Sequence, residues 1–374
     1  MNHDFSQRKR VYAVDLARGL AVLFMIGVHV LATYSSPELQ HTVFGLIIGL
    51  LGGPPSAPVF MALMGVSFYY SRNTDLKLGI KRGLEIILLG YILNILRGIL
   101  PVFAVSLLAP SVAESIPQAV ANYHDAFFEL DILQFAGLSL IVMAIIRELK
   151  FNKYVLLCLS VIIGIISPML WNITPNVPVV GYFLDYLWGD KPSSVMCIGN
   201  LVSFPFFPWF SFVLIGMFLG DSFTKSTNLH ETLKKAGIIG CLIVIVSLII
   251  IVPNMSYHVH DYYHCRPGFV AFMTGFILVW LYMCDVITRY IKMNRVFDII
   301  FYWSKNVTSL YIIQWIIIMA GADAVFGFNH SSYFATSSII IGVTIASYLI
   351  NDGYLRFRSK GYAGHVKALL QKTT

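Results

Sequence analysis

Three residues that can do chemistry lie close together in an otherwise apolar stretch, Asp15-Leu16-Ala17-Arg18 running on to Gly27-Val28-His29. On a helix, Arg18 and His29 share a face about three turns and roughly 16 Å apart. Asp15 precedes Arg18 by one turn, within pairing reach. A guanidinium holds anionic oxygens through charge-assisted hydrogen bonds, and an imidazole exchanges a proton near neutral pH. Burying an arginine in a membrane costs on the order of 3 kcal/mol or more, so the arrangement asks for a reason. Two readings stand open. Either these are the working groups of an intramembrane site, or Asp15 and Arg18 form an interfacial ion pair and His29 snorkels from the outer end.

Other polar residues interrupt later apolar runs. Arg97, in Tyr91-Ile92-Leu93-Asn94-Ile95-Leu96-Arg97, falls at about the depth of His29. It is read either as a stabiliser of a developing oxyanion or as an ion-pair partner of Asp131 or Asp125. Asp131 and Gln134 are placed to orient His29 or line a cleft, or else simply to line the outer surface. Asn306, Ser309 and Gln314 read as helix–helix glue.

These residues need helices to hold them. Of 374 residues, 57% are hydrophobic and 12% charged, against about 25% charge in a soluble domain. A water-soluble enzyme is thereby excluded, and the net charge of +7 is assigned to membrane-flanking loops rather than to nucleic-acid binding. At about 20 residues per span, apolar runs predict an all-α, polytopic membrane protein of ten helices. They lie near 12–34, 42–70, 83–109, 127–147, 154–170, 201–221, 235–253, 268–288, 297–320 and 333–355. Residues 1–11 and 356–374 are left as tails of a single domain. The second run is broken by Gly52-Gly53-Pro54-Pro55 and Pro58. Such a break is tolerated at membrane depth only where protein or a polar cavity satisfies the freed backbone, so it points to an internal site.

With ten spans, the basic loops (Arg72 to Arg82, Arg147 to Lys153, Lys225 to Lys235 and Arg289 to Arg295) fall on one side with both tails. Lys191 and Arg266 alone fall opposite. The positive-inside rule then predicts cytoplasmic termini. The outer loops are rich in aromatic and acidic residues. In the longest, near 171–200, Asp185 and Trp188 have the chemistry to bond and stack a sugar, with an interfacial aromatic belt as the alternative. His258-x-His260 and His264-Cys265 carry ligand types suited to zinc, but a tyrosine- and histidine-rich membrane boundary is the preferred reading, and no metal is expected. Of five cysteines, Cys197 and Cys265 share the outer side, so a bridge between them is the one disulfide the topology allows.

Several segments resemble a known family. Asp15-x-x-Arg18-Gly19 with Arg18-x10-His29 is similar to the first-helix signature of the transmembrane acyltransferase superfamily. That superfamily includes acyltransferase family 3 and the heparan-α-glucosaminide N-acetyltransferase-like proteins. Pro58-x-Phe60 through Gly65-Val66-Ser67 resembles its second helix, and Leu133-Gln134-Phe135-Ala136-Gly137 its fourth. Phe207-Pro208-Trp209-Phe210 with Gly216 to Gly220 resembles its middle helix, and Ser309-Leu310-Tyr311 a late one. The order of these segments over residues 10 to 315 fits the heparan-type branch somewhat better. The chain departs in one place, since many relatives carry a histidine near Gln314.

The resemblance implies transfer of an acetyl group from cytoplasmic acetyl-CoA to a sugar or glycan acceptor at the outer face. Arg18, with Asp15, would then serve the donor. His29 would act as base or acyl carrier, with Arg97 and Asp131 beside it and Gln134, Asp185 and Trp188 toward the acceptor. The competing class is a proton-coupled transporter relaying through Asp15, Arg18 and His29. A third is a non-catalytic sensor, which would be expected to have lost Arg18 or His29.

Overall fold

A computed structural model describes residues 10–71, 75–110, 123–171, 173, 178–189, 202–322 and 327–372. The chain is all-helical. Among the described residues there is no strand, and only two isolated bridges occur, Ser35 with Ser331 and Leu130 with Val202. We number the main helices α1 (Tyr12–Tyr34), α2 (Val43–Gly52), α3 (Ala57–Tyr70), α4 (Leu76–Asn94), α5 (Leu100–Leu108), α6 (Ile132–Glu148) and α7 (Lys153–Leu170). Then follow α8 (Phe206–Thr224), α9 (Leu229–Ile251), α10 (Pro267–Tyr290), α11 (Arg295–Lys305), α12 (Val307–Gly321) and α13 (Tyr333–Lys372).

Eight helical segments of the described residues are long and apolar enough to cross a membrane; α2–α3 and α4–α5 each act as one of them. Two of the ten expected spans fall short of that length, for local reasons. The fourth, expected over 127–147, starts later because Asp131 caps α6. Its carboxylate accepts from the Ile132 N–H at 2.7 Å, and the Asp131 N–H donates to Gln134 Oε1 at 3.2 Å, a reciprocal capping box that fixes a helix start. The ninth, expected over 297–320, is divided at Asn306. The Asn306 side chain donates to the Tyr302 carbonyl at 2.9 Å, a local bond that competes with the helical ladder. The last helix continues past 355 to Lys372.

Position in the bundle follows from which faces are apolar. α1 and α8 are the most enclosed of the spans, and both are apolar nearly all round, as a helix surrounded by others must be. α1 packs against α2, α3, α10, α11, α12 and α13, so the residues it carries are necessarily central. α7, α9 and α13 instead turn long rows of apolar side chains outward, Leu242, Ile245 and Ile249 among them, a surface suited to lipid.

Close approach decides one pairing. A Cβ placed on Gly216 of α8 would stand 1.8 Å from the Ala62 carbonyl oxygen of α3, and one on Gly65 would stand 2.2 Å from the Val213 oxygen. The two backbones touch there with no side chain between them, which is what small residues at membrane helix interfaces permit. Gly216→Val is therefore expected to lower stability by at least ~2 kcal/mol through overpacking, read as an earlier thermal unfolding transition in detergent. An unchanged transition would mean that this contact can spread at no cost.

Candidate active site

His29 projects from α1 into a cavity of ≈ 270 Å³ whose wall includes Arg97, Glu129, Asp131, Tyr311 and Trp315. The broken second span supplies another part of that wall through Gly49, Gly52, Gly53 and Ser56. The break is satisfied by protein, as its position requires. Tyr262 Oη donates to the Gly53 carbonyl at 3.2 Å, and Ser56 Oγ donates to the Ala21 and Leu51 carbonyls, both at 3.2 Å.

The imidazole is held by rings. Trp315 stacks on it with centroids 4.2 Å apart, and Tyr311 meets it edge-on at 6.2 Å. Its Nδ1 is buried and makes no hydrogen bond within the protein, so that nitrogen is left for something else in the cavity. Trp315 also carries the Arg97 guanidinium over its ring, 4.7 Å from the centroid. One indole thus braces both groups.

Arg97 lies in a π-helical turn, Ile95–Ile99, between α4 and α5. Such turns are single-turn bulges that re-aim side chains, often at functional sites. Its two terminal nitrogens reach Asp131 at 2.7 Å and Glu129 at 3.0 Å. Asp131 also accepts from Tyr311 Oη at 2.6 Å. Asn94 holds the strand-like approach to this cluster by donating to the Phe127 and Glu129 carbonyls at 2.9 and 2.7 Å. A buried charge network of this kind is stable only when its members are all paired. Of the two readings of Arg97, the geometry favours the ion pair, and the pair lies in the wall of the His29 cavity.

Arg18 and Asp15, the residues expected to serve the donor, lie elsewhere. Arg18 pairs with Asp15 at 3.5 Å and donates to Ser67 Oγ of α3. It opens onto a second, wider cavity of ≈ 810 Å³, into which Arg82, Lys305 and Arg358 also project. Asp15 is shared, pairing with Arg10 at 2.5 Å and accepting from Ser304 Oγ at 3.4 Å. Between the two lies a third, narrow cavity of ≈ 190 Å³. It shares Phe60, Met64, Leu140, Val307 and Thr308 with the basic cavity, and Met25, Ile132 and Tyr311 with the His29 cavity. Its wall is almost wholly apolar. The three adjoin one another along α1, from Arg18 to His29.

The other expected site residues are placed as follows. Gln134 is buried in its capping role, with Nε2 donating to the Glu129 carbonyl at 3.2 Å, and it supports the cluster from behind rather than lining the cavity. Asp185 and Trp188 belong to a short helix, Pro178–Trp188, packed on α8, and neither is in the cavity wall. In the histidine-rich loop, His264 Nδ1 pairs with Asp261 at 2.9 Å and the buried Cys265 thiol donates to the Tyr262 carbonyl at 3.1 Å. Burial pushes the Asp261 carboxyl up, but its bonds with His264 outweigh this and hold it below its ordinary range. Among the described residues no three His, Cys, Asp or Glu side chains converge as metal ligands. Cys197, the expected bridge partner of Cys265, lies outside the described residues.

Glu129, Tyr311 and Trp315 were not among the candidates drawn from sequence. The family model described as heparan-alpha-glucosaminide N-acetyltransferase, catalytic, matches residues 10–261. The chain belongs to that family. No curated protein matches it. Membership implies acetyltransferase activity in a membrane, from a family that generally depends on acetyl-CoA, and it lends proton-coupled transport no support. The matched span includes Arg18, His29, Arg97, Glu129 and Asp131, whereas Tyr311 and Trp315 lie beyond it.

Proposed function

We propose that this protein moves an acetyl group from acetyl-CoA, bound at the basic cavity, to a sugar or glycan acceptor at the His29 cavity. The observation that carries the reading is the row of three adjoining cavities that share wall residues between the two ends. Coenzyme A has a polyanionic head and a long, thin arm. The basic cavity with Arg18, Arg82, Lys305 and Arg358 suits the head, because arginine is adapted to phosphate. The narrow apolar segment suits the arm, which would present the thioester near His29. Both tails and the basic loops are assigned to the cytoplasm on the positive-inside rule, with ten passes through the membrane, and the donor cavity would open on that side.

At the other end, His29 acts as the general base. It takes the proton from an acceptor amine or hydroxyl while the nucleophile attacks the thioester carbonyl; the C–S bond then breaks and the imidazolium returns that proton to the leaving CoA thiolate. Covalent carriage of the acetyl group on the imidazole is the variant of this scheme. Arg97 and Asp131 act as positioning residues, fixing Tyr311 and Trp315 around the ring.

The primary test is acetyl-CoA binding and turnover by purified protein, screened against amino sugars and neutral glycosides. Failure to bind acetyl-CoA would overturn the reading. Arg18→Ala is expected to weaken acetyl-CoA binding about tenfold or more, the scale of a lost charge-assisted contact of 1.5–3 kcal/mol, while the acceptor KM stays put. A change in the acceptor KM alone would invert the assignment of the two ends. Trp315→Leu should lower kcat at least tenfold with acetyl-CoA affinity unchanged, because misplacement of a base by about 1 Å is costly on this scale. Loss of donor binding in that variant would show that it had disturbed the whole path.

A further inference from the structure

His29 Nδ1 gives the cavity a proton acceptor that nothing within the protein engages. Acyl transfer also calls for a hydrogen-bond donor, aimed where the thioester carbonyl oxygen becomes an oxyanion. Arg97 is poorly placed to supply it, because both of its terminal nitrogens are taken, by Asp131 at 2.7 Å and Glu129 at 3.0 Å. Three tyrosines line the cavity, Tyr262, Tyr263 and Tyr311. Tyr311 Oη donates to Asp131 at 2.6 Å, and Tyr262 Oη to the Gly53 carbonyl at 3.2 Å. Tyr263 Oη has no hydrogen-bond partner among the described residues. The residue is nonetheless fixed from several sides. Its N–H donates to Asp261 Oδ1 at 2.8 Å, and its carbonyl accepts from Trp209 Nε1 at 2.6 Å. Phe204 and Tyr262 meet its ring edge-on, with centroids 5.2 and 5.4 Å away. Asp261 is braced in turn by His264 at 2.9 Å. The histidine-rich loop, whose residue types suit a metal, here forms a bracket around a phenol. Burial and the nearby Asp131 and Glu129 carboxylates push that phenol well above its ordinary range, so it keeps its proton at working pH.

We infer that the Tyr263 hydroxyl is a catalytic group of this site, donating a hydrogen bond to the thioester carbonyl oxygen as that oxygen takes up negative charge. The inference rests on the reading of this cavity as the place of acetyl transfer. As the nucleophile gives its proton to His29 and attacks, the π pair of the carbonyl moves onto oxygen, where the Tyr263 O–H holds it. When the C–S bond breaks, that pair re-forms the C=O bond, and the phenol keeps its own proton throughout. The same donor acts if the imidazole carries the acetyl group, because that route passes through an oxyanion twice. What such chemistry requires is a reacting atom about 3 Å from both the nucleophile and the oxyanion donors. One cavity here brings together an unengaged base from α1 and an unengaged donor from the loop before α10. Its largely aromatic and apolar wall, with Met25, Phe204 and Met319, strengthens a fixed hydrogen bond by excluding water. Tyr263 lies beyond the family match, which ends at residue 261, so the match gives it no role.

Tyr263→Phe, made in the full chain, is the test. It removes the hydroxyl and keeps the ring against Phe204 and Tyr262. No hydrogen bond among the described residues is lost, so thermal unfolding should match the parent. The expected result is a fall in kcat of about 10²- to 10³-fold, the usual effect of removing one oxyanion donor. Acetyl-CoA affinity and the acceptor KM should stay unchanged, as for an interaction made in the transition state. A second readout needs no turnover. In isotope-edited infrared spectra of carbonyl-labelled acetyl-CoA, bound without acceptor, a hydrogen bond to the carbonyl lowers its stretching frequency, and Tyr263→Phe should raise it again. A stretch that does not move overturns the assignment, as does a parental kcat. A raised acceptor KM at parental kcat would make the hydroxyl an acceptor contact and overturns it too. Early unfolding of the variant with an unmoved stretch would show a structural role instead. The parent separates this claim from the one beneath it. Failure of the parent to bind acetyl-CoA would overturn the acyltransferase reading and the assignment together. Transfer by the parent, equalled by Tyr263→Phe, would overturn the assignment alone.

Discussion

His29→Ala is expected to reduce acetyl transfer by roughly 10²- to 10⁴-fold, the usual contribution of a positioned general base, or to abolish it if the imidazole carries the acetyl group. The ring is braced between Trp315 and Tyr311 and has an unpaired, buried Nδ1, so its removal takes away the proton acceptor without breaking any hydrogen bond within the protein. The variant should therefore insert, fold and bind acetyl-CoA as the parent does. Transfer is measured under saturating donor, with acetyl-CoA binding and thermal unfolding as controls. Full turnover would remove His29 from the mechanism. Loss of donor binding together with turnover would mean that His29 shapes the path rather than the chemistry. Small exogenous imidazole offers a further discrimination. Partial rescue of the alanine variant is the result expected of a missing base in a cavity that the truncation has enlarged.

The parts of this site that were legible in the sequence are those that break a rule of membrane chains. Arg18 and His29 stand out because ionisable groups are rare in apolar helices. The Gly52 to Pro58 break stands out because two glycines and three prolines interrupt a span, and it does form cavity wall. Glu129 was hidden for the opposite reason: next to an expected helix end, a glutamate breaks no rule. Trp315 looks like an ordinary span aromatic and Tyr311 stands out only as part of a family-like segment with no role attached, and only the packing of α12 against α1 brings them to His29. The capping box of Asp131 with Gln134 has a recognisable D-x-x-Q pattern, and reading it would have moved the start of α6 to its observed position. Asp185 and Trp188 were attractive as sugar-binding types. Residue type alone says nothing of which side of α8 a short helix will occupy.

Arg97→Leu is expected to be the most destabilising single change in the cavity wall. Arg97 is 4% accessible and is the shared partner of Asp131 and Glu129. Leucine fills much of its volume, so the cost arises from charge rather than from a void. Removing one member of a buried ion pair costs about 3–5 kcal/mol because the remaining charge is left uncompensated. Here two carboxylates lose the same cation. The effect should appear as poor accumulation and a shortened half-life in detergent, even though the substituted residue is more apolar than the one it replaces. Asp131→Asn tests whether charge is the cause. In the parent background it should be harmful, since it weakens the Arg97 pair and alters the acceptor for Tyr311 Oη. Added to Arg97→Leu, it removes one of the stranded charges while the amide oxygen keeps the Ile132 N–H and the Tyr311 hydroxyl, which had donated to the other carboxylate oxygen, turns to accept from the amide N–H. The double variant should then be more stable than Arg97→Leu alone, with a coupling of at least ~1 kcal/mol, within the range for residues in one network. If the two losses simply add, the guanidinium acts there as packing material for Trp315, and the charge network is incidental to the stability of the site.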